Sequence, residues 1–376
     1  MKKFLVLVFA AILAGACSRQ EAKKSAPSPS ASAVAVTGPL TPVELKAFTA
    51  LEPIDTHSHI FVTNQDFIAM IEKLNVHTLD IAVDDNTDPY QKDLPREIQD
   101  ASRYVAASQG HSVFCTTFDP YLFQKPGFAQ AAIRQINRDF TGGAIAVKIW
   151  KNIGMQIHDA HGNYIMPDNP IFEPIYKDIA AHHKTLVAHV ADPSSCWEPP
   201  NPASPDFGYY KHSPQWYMYN NPHAPSKETI LKARDHVVEE NPNLRVVGAH
   251  LGSMEANFPE LGRDLDRYPN FAVDMAARMP YVMMLPRAQA IDFINKYQDR
   301  LIYGTDLDFL PGANPQETIK EWEDYYARDW RFLATNDWVE YRGKKYQGLD
   351  LAQPVLEKLY HANAVRWFPG IMGEKH

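Results

Sequence analysis

The chain has 376 residues, with 37 Lys+Arg against 45 Asp+Glu, a net charge of −8. At 45% hydrophobic and 22% charged residues it has globular composition, which excludes a mostly disordered chain, and the acidic balance disfavours a nucleic-acid partner. The length admits two domains or one large α/β domain. Fifteen His call for a search for metal-ligand spacing, and three Cys are too few for a disulfide scaffold.

The first residues read as an address. Lys2 and Lys3 precede a continuous apolar run over 4–13, followed by Ala14-Gly15-Ala16-Cys17. A basic start, a short apolar run and small residues form an export signal, and the run is too short for a comfortable membrane span. Cys17 directly after the small residues resembles a bacterial lipoprotein signal, which would make Cys17 the lipidated N-terminus of a chain anchored at the periplasmic or cell-surface side of a membrane. An ordinary cleavable signal is the simpler alternative. Residues 18–40, rich in Ser, Ala and Pro, have no amphipathic period and read as a flexible linker. The expected organisation is a signal over 1–17, a linker over 18–40 and one body over 41–376.

The body alternates strand and helix. Apolar or β-branched runs predict strands at 53–57, 77–83, 113–118, 144–149, 185–190, 245–249, 271–275 and 301–303. Helical patterns are expected at 128–140, ended by Gly142-Gly143, at 171–182, at 227–240 after a Ser226 cap, at 288–297 and at 354–368. Eight strands alternating with helices predict a parallel sheet closed as a (β/α)8 TIM barrel, with an open doubly wound sheet as the alternative. No glycine-rich phosphate loop follows the first strand, so nucleotide binding has no support. Two connections, 191–244 and 307–353, are too long for simple loop-plus-helix units and are rich in aromatics. They are expected as long loops after strands 5 and 8, serving either as a lid or simply as rim cover.

Histidines and an aspartate fall at strand ends. Asp55-Thr56-His57-Ser58-His59 ends the first strand, and residues two apart on a strand share a face, so both imidazoles aim at one point. His189 ends the fifth strand, His250 ends the sixth, and Asp306 follows the eighth. Neutral imidazole suits zinc and similar metals. At this point the sequence resembles the amidohydrolase superfamily, in its amidohydrolase-related branch of decarboxylases and lactonases. The likeness rests on Asp55-x-His57-x-His59, Ala146-Val147-Lys148-Ile149, Gly248-Ala249-His250-Leu251-Gly252, Gly304-Thr305-Asp306 and His361-Ala362-Asn363-Ala364, and covers residues 50 to 370. It implies a barrel, a divalent metal and hydrolytic or decarboxylating chemistry on a small-molecule substrate.

Within that frame His57, His59, His189 and Asp306 are the expected ligands of one divalent ion, zinc in the first instance. Such an ion lowers the pKa of water toward about 7. Asp306 also serves as proton acceptor, and His250 polarises a carbonyl or shuttles a proton. Asp55 either orients a ligand histidine or makes a strand-end hydrogen bond. Lys148 has three readings: carbamylated and bridging two metals, with His189 and His250 on the second; a cation for a carboxylate or oxyanion; or an internal salt bridge. Lys151 and Arg278 lie just beyond strands and are candidates for an anionic substrate. His158 and His161 lie in a loop as weaker contact candidates. Cys115 and Cys196 are either a pair or two buried thiols. The expected function is an exported hydrolase of an ester, lactone or amide. The rivals are a decarboxylase of an unsaturated or aromatic acid and a non-catalytic metal-binding lipoprotein.

Overall fold

A computed structural model describes residues 34–373. The signal, Cys17 and most of the linker lie outside the described residues. Nine strands form one parallel sheet: β1 Ile54–Ile60, β2 His77–Ile81, β3 Ser112–Thr116, β4 Ala144–Ile149, β5 Thr185–Ala188, β6 Arg245–Gly248, β7 Phe271–Asp274, β8 Leu301–Ile302 and β9 Leu307–Phe309. Their order in space is 8-7-6-5-4-3-2-1-9. The strands are buried on both faces, as parallel strands covered by helices must be. No helix among the described residues is long and apolar enough to cross a membrane.

The expected eighth strand is split. β8 bonds β7, with Val273 opposite Leu301, and β9 bonds β1, with Ser58 opposite Leu307. Between them, Thr56 N donates to Tyr303 O at 3.2 Å and Asp306 N donates to His57 O at 2.8 Å. The two edges of the sheet therefore meet across residues 301–309, following the (β/α)8 plan. Asp55 causes the interruption to hold its shape. Its carboxylate accepts from His57 N at 3.1 Å, Thr305 N at 3.0 Å, Thr305 Oγ1 at 2.6 Å and Tyr326 OH at 3.0 Å. Gly304 sits where an added Cβ would lie 3.2 Å from the Cβ of His57, so the strand can pass this close only without a side chain there.

Inside the sheet, Ile54, Leu79, Ile81, Val113, Cys115, Ala146, Val187, Val247 and Ile302 pack together, and Trp367 and Phe368 close one end. A larger apolar layer lies between sheet and helices. The helix Phe128–Thr141 stops at Gly142, with Gly143 taking φ +104°. Ser226 caps Lys227–Glu240 by accepting from Thr229 N. The last expected helix is Gln353–Glu357 and Asn363–Trp367 joined through a π-helical turn. There Asn363 Nδ2 donates to Gln298 O and Leu301 O at 2.6 and 2.7 Å, tying the helix to the start of β8.

Two further expectations change. The connection after strand 8 is not mainly loop: it contains the 20-residue helix Pro315–Ala334 and a hairpin of β10 Trp338–Tyr341 with β11 Lys344–Gln347. Trp322, Tyr326, Trp330 and Phe332 on that helix are core. The connection after strand 5 runs as expected through loop and short helical turns up to Asn220 before the helix Lys227–Glu240. Finally, residues 35–40 dock on the body instead of belonging to the linker. Val36 N donates to Trp338 O at 2.7 Å, and buried Arg331 donates to Gly38 O and Pro39 O at 2.7 and 2.8 Å. Cys115 and Cys196 are separate buried thiols.

Arg331 also forks onto Glu44, at 2.7 and 2.9 Å. This guanidinium holds the Glu44 carboxyl down from 4.5 to about 2. A depressed carboxyl pKa adds stability above its unfolded value that is lost as pH falls through the folded one. Glu44→Gln is therefore expected to lower unfolding free energy at pH 7 by about 1.5–3 kcal/mol, the scale of a hydrogen bond to a charged group. Thermal melts should show the gap to wild type closing as pH falls from 4.5 toward 2. A gap independent of pH in that window would contradict the assignment.

Candidate metal centre

The strand ends His59, Lys148, His189, His250 and Asp306 line one cavity of about 390 Å³, together with Lys151, Asp192, Asp206, Arg278 and the aromatics Trp150, Tyr209, Tyr325 and Tyr341. His57 lies beneath it and is fully buried. This is the end of a (β/α)8 sheet where loops after strands gather.

Each strand-end histidine is set in one tautomer by what its Nδ1 touches. His57 Nδ1 lies 2.9 Å from Asp274 Oδ2, His59 Nδ1 lies 2.7 Å from Ile81 O, and His250 Nδ1 lies 3.0 Å from Ala276 O. An acceptor at each contact requires an N–H, so each Nε2 presents a lone pair. The Nε2 atoms of His57 and His59 both lie 3.4 Å from Asp306 Oδ1. His250 Nε2 lies 3.2 Å from His189 Nδ1, which must then be the donor. The remaining nitrogen, His189 Nε2, is buried without a hydrogen bond, 3.5 Å from Asp192 Oδ1.

The backbone is shaped to deliver these groups. Asp306 takes φ +67°, and His250, Leu251, Gly252 and Ser253 form a consecutive left-handed run at +60°, +57°, +60° and +58°. For residues other than glycine such a conformation costs about 1–2 kcal/mol each. Asp274 Oδ1 offsets part of it, accepting from His250 N at 2.8 Å and Ala276 N at 3.1 Å. Gly248 allows the turn, since a Cβ there would meet Gly252 Cα at 2.9 Å and the Phe271 ring at 2.8 Å.

Burial disfavours the charged form of His57, His189 and His250, while the surrounding groups favour the charged form of Asp306. Burial pushes His57 and His189 well below the ordinary histidine range, Lys148 adding to the first and His250 to the second. Burial takes His250 down to about 3. Burial would raise Asp306, but His250, His59 and His57 outweigh it and hold this carboxyl well below the usual range. Its side chain keeps 30% exposure, toward the cavity.

These donors suit a divalent ion. The His57 and His59 Nε2 atoms and a carboxylate oxygen of Asp306 lie within 4.8 Å of one another. The 3.4 Å spacings match the edge of a tetrahedron with bonds of about 2.1 Å. His57, His250 and Asp274 also cluster, but there the carboxylate already accepts three hydrogen bonds and acts as the orienting group behind the ligands. Of the four expected ligands, His57, His59 and Asp306 come together; His189 adjoins them through His250, with its Nε2 beside Asp192. Lys148 Nζ lies 2.7 Å from His57 Nε2. An ammonium there and a cation on the same nitrogen exclude each other, and burial lowers the Lys148 pKa toward the neutral amine.

Other expected residues separate. Asp55 does not orient an imidazole; its oxygens are taken by the β1 and 301–309 backbone and two hydroxyls. His158 stacks on Tyr164, with ring centroids 4.0 Å apart, and neither it nor His161 lines the cavity. Asp274 was missed, although it ends strand β7 in the same way that His189 follows β5 and His250 follows β6. The strand-end rule applied to every strand finds it.

The role of Asp274 has a direct test. Its two oxygens accept on opposite sides, and an amide has only one acceptor. Asp274→Asn would keep the His250 turn and face an N–H₂ toward His57 Nδ1, forcing the proton onto Nε2. Affinity for a divalent ion is expected to fall about 10–100-fold, the usual cost of losing such a partner. Metal titration against a competing chelator measures it, and unchanged affinity would show that another group sets the tautomer.

The amidohydrolase family model matches residues 54–370. No curated protein matches the chain. An uncharacterised TIM-barrel protein from Bordetella bronchiseptica aligns at TM-score 0.50 and 15% identity, covering 85% of this chain and 99% of that one. The 5-carboxyvanillate decarboxylase of Sphingomonas paucimobilis aligns at 0.47 and 14%, covering 85% and 99%. A probable 2-pyrone-4,6-dicarboxylic acid hydrolase from Acinetobacter baumannii aligns at 0.45 and 11%, covering 84% and 99%. With the family model spanning every strand of the sheet and every residue of the centre, the chain belongs to the amidohydrolase family.

Proposed function

We propose that this chain is a metal-dependent hydrolase that cleaves an ester, lactone or amide on a (β/α)8 barrel. The observation that carries the reading is the convergence of two imidazole Nε2 atoms on a carboxylate that is held in its charged form and is still open to the cavity. A divalent ion, zinc in the first instance, would be held by His57, His59 and Asp306 with His189 adjoining, and would supply Lewis acidity and water at a lowered pKa. One ion fits this set; a second requires a carbamylated Lys148. Asp306, charged at neutral pH, takes the proton from the attacking water and passes it to the leaving group. His250 has its Nδ1–H on Ala276 O and its Nε2 on His189, so it acts by orienting His189. The aromatic walls Trp150, Tyr209, Tyr325 and Tyr341 exclude water around the substrate.

A second reading has support of its own. Arg278 on the cavity wall, with its Nε unpartnered, favours an acidic substrate, which suits non-oxidative decarboxylation of an unsaturated or aromatic acid. Incubation in ¹⁸O water separates the two: hydrolysis places the label in the product acid, whereas decarboxylation releases carbon dioxide and leaves the organic product unlabelled.

Asp306→Asn is expected to lower turnover at least about a hundredfold, the scale of losing a positioned base. Steady-state rates on any ester, lactone or amide the wild type cleaves provide the test, with unchanged turnover counting against the role. For the address, we propose export and lipid anchoring through Cys17, from the basic start, apolar run and small residues before it. Cys17→Ser should then leave an exported chain in the soluble fraction. Soluble wild-type protein lacking Cys17 would refute the anchor.

A further inference from the structure

Three cations reach the cavity, and counting their donors separates them. Lys148 is directed at His57 Nε2, 2.7 Å away. Lys151 has all three N–H bonds engaged, by Asp192 Oδ1 and Oδ2 at 2.9 and 2.8 Å and by Tyr209 OH at 2.6 Å. Arg278 differs. Only its Nη1 donates within the chain, to Ala277 O at 3.2 Å, and the same nitrogen lies 4.0 Å from Asp206 Oδ1, beyond hydrogen-bond reach. Its Nε is buried without a partner, in a residue only 7% exposed.

The surroundings leave Arg278 in that state. Asp206, the nearest carboxylate, spends its other oxygen on Ser195 Oγ at 2.8 Å, on Ser204 Oγ and on Tyr281 OH. Ala277 holds φ +54°, with its N–H on Thr305 O at 3.0 Å, and this turn carries Arg278 to the cavity wall. A buried guanidinium with free donors lacks the acceptors that a satisfied structural arginine would have.

We infer that Arg278 is the anchor for a carboxylate on the substrate, set apart from the scissile bond, and that Lys151 is a structural latch between the end of β4 and the connection after β5. The planar fork suits a carboxylate bidentately. A monoanion is favoured over a phosphate dianion because Asp192, Asp206 and Asp306 line the same cavity. This deepens the hydrolase reading by naming the substrate class and is equally compatible with the decarboxylase, so its test is a binding measurement.

Benzoate, neutral benzamide and dianionic phenylphosphonate are titrated by calorimetry into wild type, Arg278→Gln, Arg278→Lys and the His57→Ala/His59→Ala double variant, with metal content measured for each. The expected result is saturable benzoate binding to wild type, no benzamide binding and weaker phenylphosphonate binding. Arg278→Gln should weaken benzoate at least about tenfold with metal content unchanged, and Arg278→Lys should fall between. Asp206 keeps three hydroxyl partners in both variants, so both should fold, with thermal midpoints as the control. The double variant should still bind benzoate, which keeps failure of the metal reading distinct from failure of this one. Equal benzoate affinity in wild type and Arg278→Gln, binding lost only in the double variant, or tighter phenylphosphonate binding would each overturn the inference.

Discussion

One buried carboxylate ties the centre together. Asp274 is 1% exposed, and both of its oxygens are used, one by the His57 imidazole on β1 and the other by the His250 and Ala276 amides. Burial raises its pKa, while His250 and Lys148 oppose the rise. The cost of burying a carboxylate is thus shared among groups that themselves need orientation. His57 gains its tautomer, the left-handed turn at 250–253 gains an acceptor, and β1, β6 and β7 are fixed relative to one another at the cavity floor.

A second carboxylate does similar work for the backbone. Asp55 ties His57 N to Thr305, which fixes where the last strand breaks and so where Asp306 emerges. Asp306 returns the contact through its own N–H to His57 O. Candidate metal ligands on strands far apart in sequence thereby share one short loop of hydrogen bonds. The geometry depends on two buried acids that need not touch metal or substrate.

The long connections divide by physics. On the helix Pro315–Ala334, Trp322, Tyr326 and Trp330 recur every fourth residue and are buried against Phe48, Phe67 and Tyr360. That stripe is core. Tyr325, one residue off the stripe, meets the cavity instead. After β5, Trp216 packs on Trp150 at 4.8 Å, and Lys151 lies over both rings and that of Tyr209. This connection is held to the cavity wall by a paired cation and aromatic faces, and it buries Cys196, Tyr210, Tyr217 and Met218 behind them.

Sequence alone determined where strands β1 to β8 begin, their alternation with helices, and the helix ends at Gly142-Gly143 and Ser226, because these depend on local periodicity and capping. It also placed His57, His59, His189, His250 and Asp306 at strand ends, since a parallel sheet delivers strand ends to one side. The split last strand, the helix in 315–334 and the docking of residues 35–40 on Arg331 were decided by tertiary contacts. So were the roles of Asp274, Asp55 and the three cations. A side chain's type and position do not state which acceptor it meets. Lys151 and Arg278 look alike along the chain, yet one is saturated by Asp192 and Tyr209 and the other is left with a free N–H, a difference that exists only once β4, β7 and the connection after β5 are brought together.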